Sequence, residues 1–314
     1  MPMTEGSANP RTSSRGLPVA VVSACLRDGH GGSPTAVVDG MPATEAERRR
    51  IPVLLGTSHA VFVREEDRAE GHEGGLPRVS LRFATAEGDL PACGHGTVAA
   101  LAVLAERAGT AEYRAVLRTA QATFTGRAVR HPGGLVEAAF ETDSVTLRAA
   151  DPAELGLVLP ALGLDAAAVG EACVATLGRP RMLLPLPSRE ALAGLAPDPD
   201  RLRAACDAFG LLGCYVHCEP HADGRTAARL FAPSIGVPED VANANSTACL
   251  AALLATRGID RVAVDMGDSL GHPATITAGS RTGPLGRLVH VGGTARTDRR
   301  LVLGSLDAPP PRSG

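Results

Sequence analysis

Apolar residues follow two patterns along the chain. Short apolar runs such as "LPVAVVSACL" and "AVFVRE" are separated by polar or glycine-containing turns, a spacing that predicts β-strands. Two longer runs, "TVAALAVLAERAG" and "STACLAALLATRG", are apolar on almost every side and predict helices that other elements must enclose. Further strands are predicted at "PTAVV", "IPVLLG", "RVSLRFAT", "RMLLPLP" and "GCYVHCE", and helices at 152–158, 189–195 and 200–209.

Both enclosed helices are preceded by the same kind of sequence. The first segment reads "RFATAEGDLPACGHGTVAALAVLAERAG" and the second "RLFAPSIGVPEDVANANSTACLAALLATRGI". Each has an arginine, an aromatic residue, an irregular polar loop and a cluster of small polar residues at the helix start. This internal repeat predicts two duplicated domains, each with strands wrapped around a central helix. We place them at residues 18–145 and 146–305, between disordered tails at 1–17 and 306–314.

The composition excludes several classes of protein. The 314 residues carry a formal net charge of −3, and no basic run of the kind that binds nucleic acid occurs. All 31 basic residues are arginine, which excludes a pyridoxal-phosphate Schiff base and a phosphate-binding loop with its lysine. No apolar run is long enough to cross a membrane.

The cysteines and the start of the chain bear on localisation. The seven cysteines are scattered and odd in number, which is typical of reduced thiols in a cytoplasmic protein. The stretch "GLPVAVVSAC" after Arg15 has some likeness to a lipoprotein signal. Its apolar part is short and charged residues follow at once, which favours a first β-strand. We therefore expect a cytoplasmic protein.

Each helix start has the features of an anion-binding site. The first amides of a helix lack internal partners and carry partial positive charge, and the glycines of "CGHGT" allow close approach to them. Capping alone would explain one such motif. Two matched motifs predict a clamp for a small carboxylate substrate. The residues expected to bind it are Gly94, Gly96, Thr97, Asn243, Asn245, Ser246 and Thr247.

The same motifs resemble a known family. "CGHGTVAALAVL", "RLFAPSIGVPED" and "GHPATI" occur in this order and are similar to the PhzF family of phenazine-biosynthesis isomerases, which has the diaminopimelate-epimerase-like fold. The resemblance implies an α+β protein of two pseudo-symmetric domains, each a curved, mostly antiparallel sheet around a central apolar helix. It also implies an active site in the cleft between them, no cofactor, no metal and a homodimer.

The resemblance places catalytic roles on three residues. The family histidine of "GH.T" falls on His95, and the aspartate of "EDPATGSA" falls on Asp240. The family glutamate of "SETAFV" falls on His59 in "SHAVFV", and the arginine of "GRPS" on His272. The threonine, glycine and serine that follow the family aspartate are replaced by Asn243, Ala244 and Asn245. We expect His59, His95 and Asp240 to be catalytic.

The exchange of a glutamate for His59 has two interpretations. A histidine titrates near ~6.5, so it can accept and return a proton close to neutral pH, and Asp240 could orient or charge-pair it. The alternative is a histidine that is merely tolerated at the cleft edge of a non-catalytic, carboxylate-binding protein. The orientation of His59, into the cleft or away from it, distinguishes the two.

Two other groups of residues could support a different chemistry. Related epimerases use one cysteine at each helix start; Cys93 fits the first position, whereas Cys249 lies too far into the second helix. The segment "CYVHCEPH" (Cys214, His217, Cys218 and His221) has a spacing like that of metal ligands. On a strand its cysteines and His217 face opposite ways, which disfavours a metal site.

The sequence therefore predicts a cofactor-independent isomerase that moves a proton, and hence a double bond, in a small amino-acid-derived carboxylate. The lysine-free, alanine- and arginine-rich composition is typical of high-GC bacteria, in which proteins of this kind often serve specialised-metabolite biosynthesis such as an antibiotic pathway. The resemblance to PhzF-like isomerases implies a five-membered cyclic imino acid as substrate. A cofactor-independent epimerase and a non-catalytic carboxylate-binding protein remain as alternatives.

Overall fold

The computed structural model describes residues 16–42, 44–66, 75–142, 144–283 and 286–304. The two predicted tails, 1–17 and 306–314, fall outside these ranges except at residues 16 and 17. Leu17 is already the first residue of a β-strand, so the described chain enters the fold within the predicted tail.

The first half of the chain builds its strands around one long helix. In chain order the elements are β1 (Leu17–Leu26), β2 (Ser33–Asp39), α1 (Glu45–Leu55), β3 (His59–Glu65), β4 (Arg78–Ala84), β5 (Asp89–Leu90), α2 (Gly94–Ala108), β6 (Glu112–Arg118), β7 (Thr123–Arg130) and β8 (Leu135–Glu141).

The second half repeats this arrangement and adds helices on the outside. Its elements are β9 (Thr146–Ala149), α3 (Pro152–Leu162), β10 (Cys173–Leu177), β11 (Arg179–Leu186), α4 (Arg189–Ala193), α5 (Pro199–Ala208), β12 (Cys214–Cys218), β13 (Arg225–Ala232), β14 (Val237–Asp240), α6 (Ala244–Thr256), β15 (Arg261–Met266), β16 (Ala274–Gly283) and β17 (Gly286–Leu303).

Most neighbouring strands pair in antiparallel fashion, as predicted. Parallel pairing joins β2 to β3, β4 to β6, β11 to β12 and β13 to β15. The strands curve around the two apolar helices α2 and α6. Every residue of α2 from His95 to Ala105 is buried, and α6 is buried along nearly its whole length. Such helices cannot face water on any side, so the strands enclose them.

The last strand joins the two halves of the molecule. β17 pairs with β1 from Thr294 to Leu303 and with β8 of the first half, and it also pairs with β16 of the second half. It packs against both α2 and α6. The division at residues 145 and 146 falls between β8 and β9, and the assignment of β17 to the second domain alone stays a prediction.

The prediction of a strand at "IPVLLG" is wrong. These residues form the last turns of α1. Thr44 and Glu47 form a reciprocal capping box at its start, and Gly56 ends it in the left-handed conformation. Val53 is 67% exposed, so this apolar run is not the buried strand that its composition suggested.

Candidate active site between two helix starts

The two central helices begin in equivalent ways. Cys93 is the N-cap of α2, and its Sγ accepts a hydrogen bond from the amide of Gly96 at 3.4 Å. Asn243 is the N-cap of α6, and its Oδ1 accepts a hydrogen bond from the amide of Ser246 at 2.8 Å. The internal repeat of the sequence is therefore a repeat of structure, and Cys93 and Asn243 hold matching positions.

The two helix starts are in direct contact. A Cβ atom on Gly94 would lie 2.3 Å from the Cβ of Ala244, so only a glycine allows this approach. The side-chain caps engage the third amide of each helix, which leaves the first two amides of each without an intrahelical acceptor. These are the amides of Gly94, His95, Ala244 and Asn245. Together with the two helix dipoles they favour an anion.

The remaining hydroxyl groups predicted to bind substrate stabilise the helix starts. Thr97 and Thr247 each donate a hydrogen bond to the backbone carbonyl of their own N-cap residue, at 2.8 and 3.0 Å. The hydroxyl of Ser246 accepts a hydrogen bond from Arg181 at 3.1 Å. Contact of these three side chains with a substrate stays a prediction.

His95 is buried and is held through both ring nitrogens. Its Nδ1 lies 3.0 Å from the carbonyl oxygen of Ala242, which fixes the proton on that nitrogen. Its Nε2 lies 3.3 Å from the Sγ of Cys93, so thiol and imidazole can share a proton. Burial lowers the pKa of His95, but Cys93 and Asp240 together outweigh it and the pKa is raised to about 9.

His59 lies at the start of β3 and points towards His95. The two rings meet edge to face, with centroids 4.3 Å apart and planes at 81°. Within the described part of the chain, the buried Nδ1 of His59 has no hydrogen-bond partner. Burial, and then the charge of His95, lower the pKa of His59 well below its usual range.

The pKa values of these two neighbouring histidines are therefore shifted in opposite directions. At neutral pH His59 is the neutral imidazole, a base, whereas His95 is the charged imidazolium, an acid. Neighbouring groups whose environments push their pKa values apart are the usual arrangement for acid and base catalysis. The arrangement can therefore remove a proton at one group and supply one at the other.

Asp240 influences His95 through its charge rather than through a hydrogen bond. Its Oδ2 accepts a hydrogen bond from the Asn243 side chain at 3.0 Å, and its Oδ1 accepts one from the amide of Ala242 at 3.3 Å. The prediction that Asp240 orients or charge-pairs His59 stays a prediction, and the carbonyl of Ala242 orients His95. Asp240 fixes the N-cap of α6, and its charge raises the pKa of His95.

A cavity of about 80 Å³ opens beside the helix starts. Cys93, Gly94, Thr97 and Asn245 form its polar side. Neither histidine lines it, and Cys93 stands between the cavity and His95. The other side is largely apolar and includes Phe83, Phe124, Phe140 and Leu177, with Gln121 and Glu141 as polar groups.

One charged residue beside this cavity, Arg181, is not among the site residues predicted from the sequence. Arg181 is 1% exposed and lies on β11, among residues that pack towards α6. Its side chain donates to the carbonyl oxygens of Leu177 and Arg179 at 2.8 and 2.9 Å, beside the cavity wall. The signal was an arginine at an inward position of the apolar run "RMLLPLP", where strand alternation predicts a buried side chain.

The described residues include one cluster that could hold a metal ion. The possible ligand atoms of His59, Cys93 and His95 all lie within 4.8 Å of one another. Thiolate sulfur and imidazole nitrogen are ligands that suit Zn²⁺. The segment "CYVHCEPH" is different, because Cys214 and Cys218 both belong to the core cluster beneath α3 and α5. The Nδ1 of His217 donates to the carbonyl of Cys218 at 2.9 Å.

Among the described residues, no helix has both the length and the apolar character needed to cross a membrane.

The sequence and the fold are similar to those of known proteins. A family model described as phenazine biosynthesis-like protein (PhzC-PhzF) matches residues 22–300. An uncharacterised isomerase of Deinococcus radiodurans is 30% identical over 293 residues, which cover 87% of this chain and 90% of that protein.

Two solved structures share the fold. A predicted epimerase of Pseudomonas aeruginosa has a TM-score of 0.76 and 24% identity, covering 91% of this chain and 99% of its own. A hydroxyproline epimerase of Agrobacterium vitis has a TM-score of 0.54 and 14% identity, covering 93% and 94%. The predicted α+β epimerase-like fold is confirmed, and the protein is an enzyme of the isomerase class. The chain belongs to the PhzC-PhzF, or phenazine biosynthesis-like, family.

Proposed function

We propose that this isomerase moves a proton, and with it a double bond, in a small amino-acid-derived carboxylate without any cofactor. The observation that carries the proposal is the contact between His59 and His95, a neutral base against a charged acid. The helix starts beside this pair favour the substrate carboxylate. Specialised metabolism, a cytoplasmic location and a homodimer, all expected from the sequence, belong to the same proposal.

The chemistry follows from the placement of these groups. The carboxylate binds at the first amides of α2 and α6. A proton on a neighbouring carbon passes to the neutral imidazole of His59, which has a ring nitrogen within 4.8 Å of the Cys93 Sγ at the cavity wall. The electron pair of that C–H bond becomes the new double bond. The pair of the old double bond takes a proton at its far carbon, supplied by His95 through the Cys93 thiol. One proton leaves, one arrives, and no oxidant or reductant is needed.

The cavity suggests a compact, partly apolar substrate. Phe83, Phe124 and Phe140 line its apolar side, and the rings of Phe124 and Phe140 lie 5.4 Å apart. The hydroxyproline epimerase that shares the fold was solved with bound trans-4-hydroxy-L-proline. Both observations support a five-membered cyclic imino acid, in which the ring lies among the phenylalanines and the carboxylate at the helix starts.

Solvent-isotope incorporation tests the proposal. Unsaturated five-membered imino acids are incubated with the enzyme in D₂O, and the product is analysed by NMR and mass spectrometry. We expect one deuterium at the carbon that gains a proton, a shifted double bond, and no incorporation with His59→Ala. Binding of these compounds without deuterium incorporation would favour the carboxylate-binding alternative and reject catalysis.

An epimerase that uses a single thiol is the second candidate. It is favoured by the position of Cys93, which lines the cavity directly while its Sγ contacts His95 at 3.3 Å. In that reaction one group removes the proton of a carbon, and a second group delivers a solvent-derived proton to the opposite face of the same carbon. The product would then carry deuterium at that carbon with inverted configuration and an unmoved double bond, which chiral chromatography and ultraviolet absorbance distinguish.

A further inference from the structure

Arg181 differs from the other buried arginine, glutamate and aspartate side chains of the described structure in having no ion-pair partner. Arg48, Glu154 and Asp265 are also at most 8% exposed, and each forms an ion pair with a side chain of opposite charge. Within the same described residues, Arg181 forms none. Its partners are two carbonyl oxygens and the hydroxyl of Ser246, all of them neutral.

The guanidinium is also incompletely hydrogen-bonded. Its Nε is buried and has no partner among the described residues. Burial lowers the pKa of Arg181, the direction expected for a cation that lacks a compensating carboxylate. Removing a charge from water costs several kcal/mol unless an opposite charge compensates for it. A buried cation of this kind indicates that the compensating anion comes from outside the chain.

The position of Arg181 indicates where that anion binds. The carbonyls that it holds, those of Leu177 and Arg179, flank Gly178, and Leu177 and Gly178 both line the cavity. Its other contact, Ser246, lies in the first turn of α6. The positive charge therefore lies next to the first turn of α6 and to the part of the cavity wall formed by Leu177 and Gly178, and its field adds to that of the helix dipole.

We propose that Arg181 is a positioning residue whose buried charge makes the cavity selective for a carboxylate over an uncharged group of the same shape. The inference rests on the proposed carboxylate site and identifies what gives that site its preference for charge. Arg181 does not touch the ligand. It acts by its electrostatic field and by holding the 177–179 turn and Ser246 in place.

The test compares carboxylates with their matching amides. Thermal unfolding is followed with isobutyrate, benzoate or proline, and with isobutyramide, benzamide or prolinamide, at equal concentration and ionic strength. A ligand that binds only the folded state raises the midpoint. We expect carboxylates to stabilise the wild type more than the amides do. The apparent carboxylate affinity should fall at least ~10-fold in Arg181→Met, while amide affinity changes little.

Two variants separate charge from structure. Arg181→Lys keeps the charge and should retain most of the carboxylate preference even if it lowers stability. Arg201→Gln removes an exposed arginine charge from α5, outside the cavity lining, and should behave as wild type. A wild type that shows no preference for carboxylates, or equal loss of amide and carboxylate binding in Arg181→Met, would overturn the proposal.

The two proposals fail in distinguishable ways. If solvent deuterium is never incorporated but the carboxylate preference depends on Arg181, isomerisation is rejected and the role of Arg181 stands. If deuterium is incorporated at an unchanged KM in Arg181→Met, the role of Arg181 is rejected and isomerisation stands.

Discussion

Cys93 and Asn243 occupy the same position in the two halves of the molecule, each as the N-cap of a central helix that accepts a hydrogen bond from the third helical amide. A mechanism with one thiol on each side of the substrate needs a cysteine at both positions. The amide of Asn243 can neither give up nor return a proton at neutral pH. The pair therefore disfavours two-thiol racemisation and leaves Cys93 as the one thiol at the helix starts.

Cys93→Ser should retain turnover within about tenfold of the wild type, because serine can also cap α2 and hydrogen-bond His95. It should also lower the alkaline limit of the rate profile, since Cys93 is a main cause of the raised pKa of His95. Turnover against pH measures both effects. A loss as large as that of His59→Ala would instead identify the thiol as the reacting base.

His59→Ala should lower turnover by about 10²–10⁴, the usual contribution of a general base. Carboxylate binding should change little, because its contacts are backbone amides. His59→Glu, which restores the family residue, should recover part of the rate. The matched control is His272→Ala, since His272 is exposed. Wild-type turnover in His59→Ala would exclude His59 as the base.

The rate should be bell-shaped against pH. His59 must be neutral, so activity falls as the pH drops through its pKa, which lies well below 6.5 because of burial and the nearby charge of His95. His95 must be protonated, so activity also falls as the pH rises through about 9. The plateau should therefore include neutral pH. An acid limit above that of a free histidine would contradict the assignment of His59.

Chelation tests whether the cluster of His59, Cys93 and His95 works through protons or through a metal ion. Since the proposed acid and base are protein groups, turnover should be unchanged after exhaustive treatment with EDTA and 1,10-phenanthroline. Added Zn²⁺ should inhibit, because it would occupy the nitrogen and sulfur atoms that must exchange protons. Loss of activity on chelation, with recovery on adding Zn²⁺, would instead establish a metal-dependent reaction.

Gly94→Ala should destabilise the protein by about 1–3 kcal/mol, because the new methyl group would lie 2.3 Å from that of Ala244 and force the helix starts apart. Thermal or urea unfolding measures the loss. Ala244→Gly alone should cost about 1 kcal/mol or less through helix propensity. The double variant exchanges the two residues and should recover most of the stability lost by Gly94→Ala. If the stability losses of the two single variants simply add in the double variant, the contact between residues 94 and 244 does not determine the stability.

Features that depend on local sequence were predictable. The strands β1 and β3 and both enclosed helices follow from apolar runs between turns, and the helix starts follow from the repeated motif. The end of α1 was not predictable, because a short apolar run fits a strand or a helix equally well. The capping box of Thr44 and Glu47 was the local signal that decided for the helix.

Features that depend on distant parts of the chain were not predictable from local patterns. The resemblance named His59 and His95, but their contact requires β3 and α2 to meet in space. The unpaired charge of Arg181 could not be foreseen, because the absence of a partner depends on the whole surrounding structure. The group that orients His95 could not be foreseen either, because it is the backbone carbonyl of Ala242 and every residue carries such a carbonyl.

The course of β17 has a consequence for how the chain folds during synthesis. Leu303 pairs with Leu17, so β1 leaves the ribosome long before β17, the strand that completes its pairing. The first half therefore cannot close its sheet around α2 on its own, although N-terminal domains commonly fold before the rest is made. Both halves should reach the native state together and unfold in a single cooperative transition.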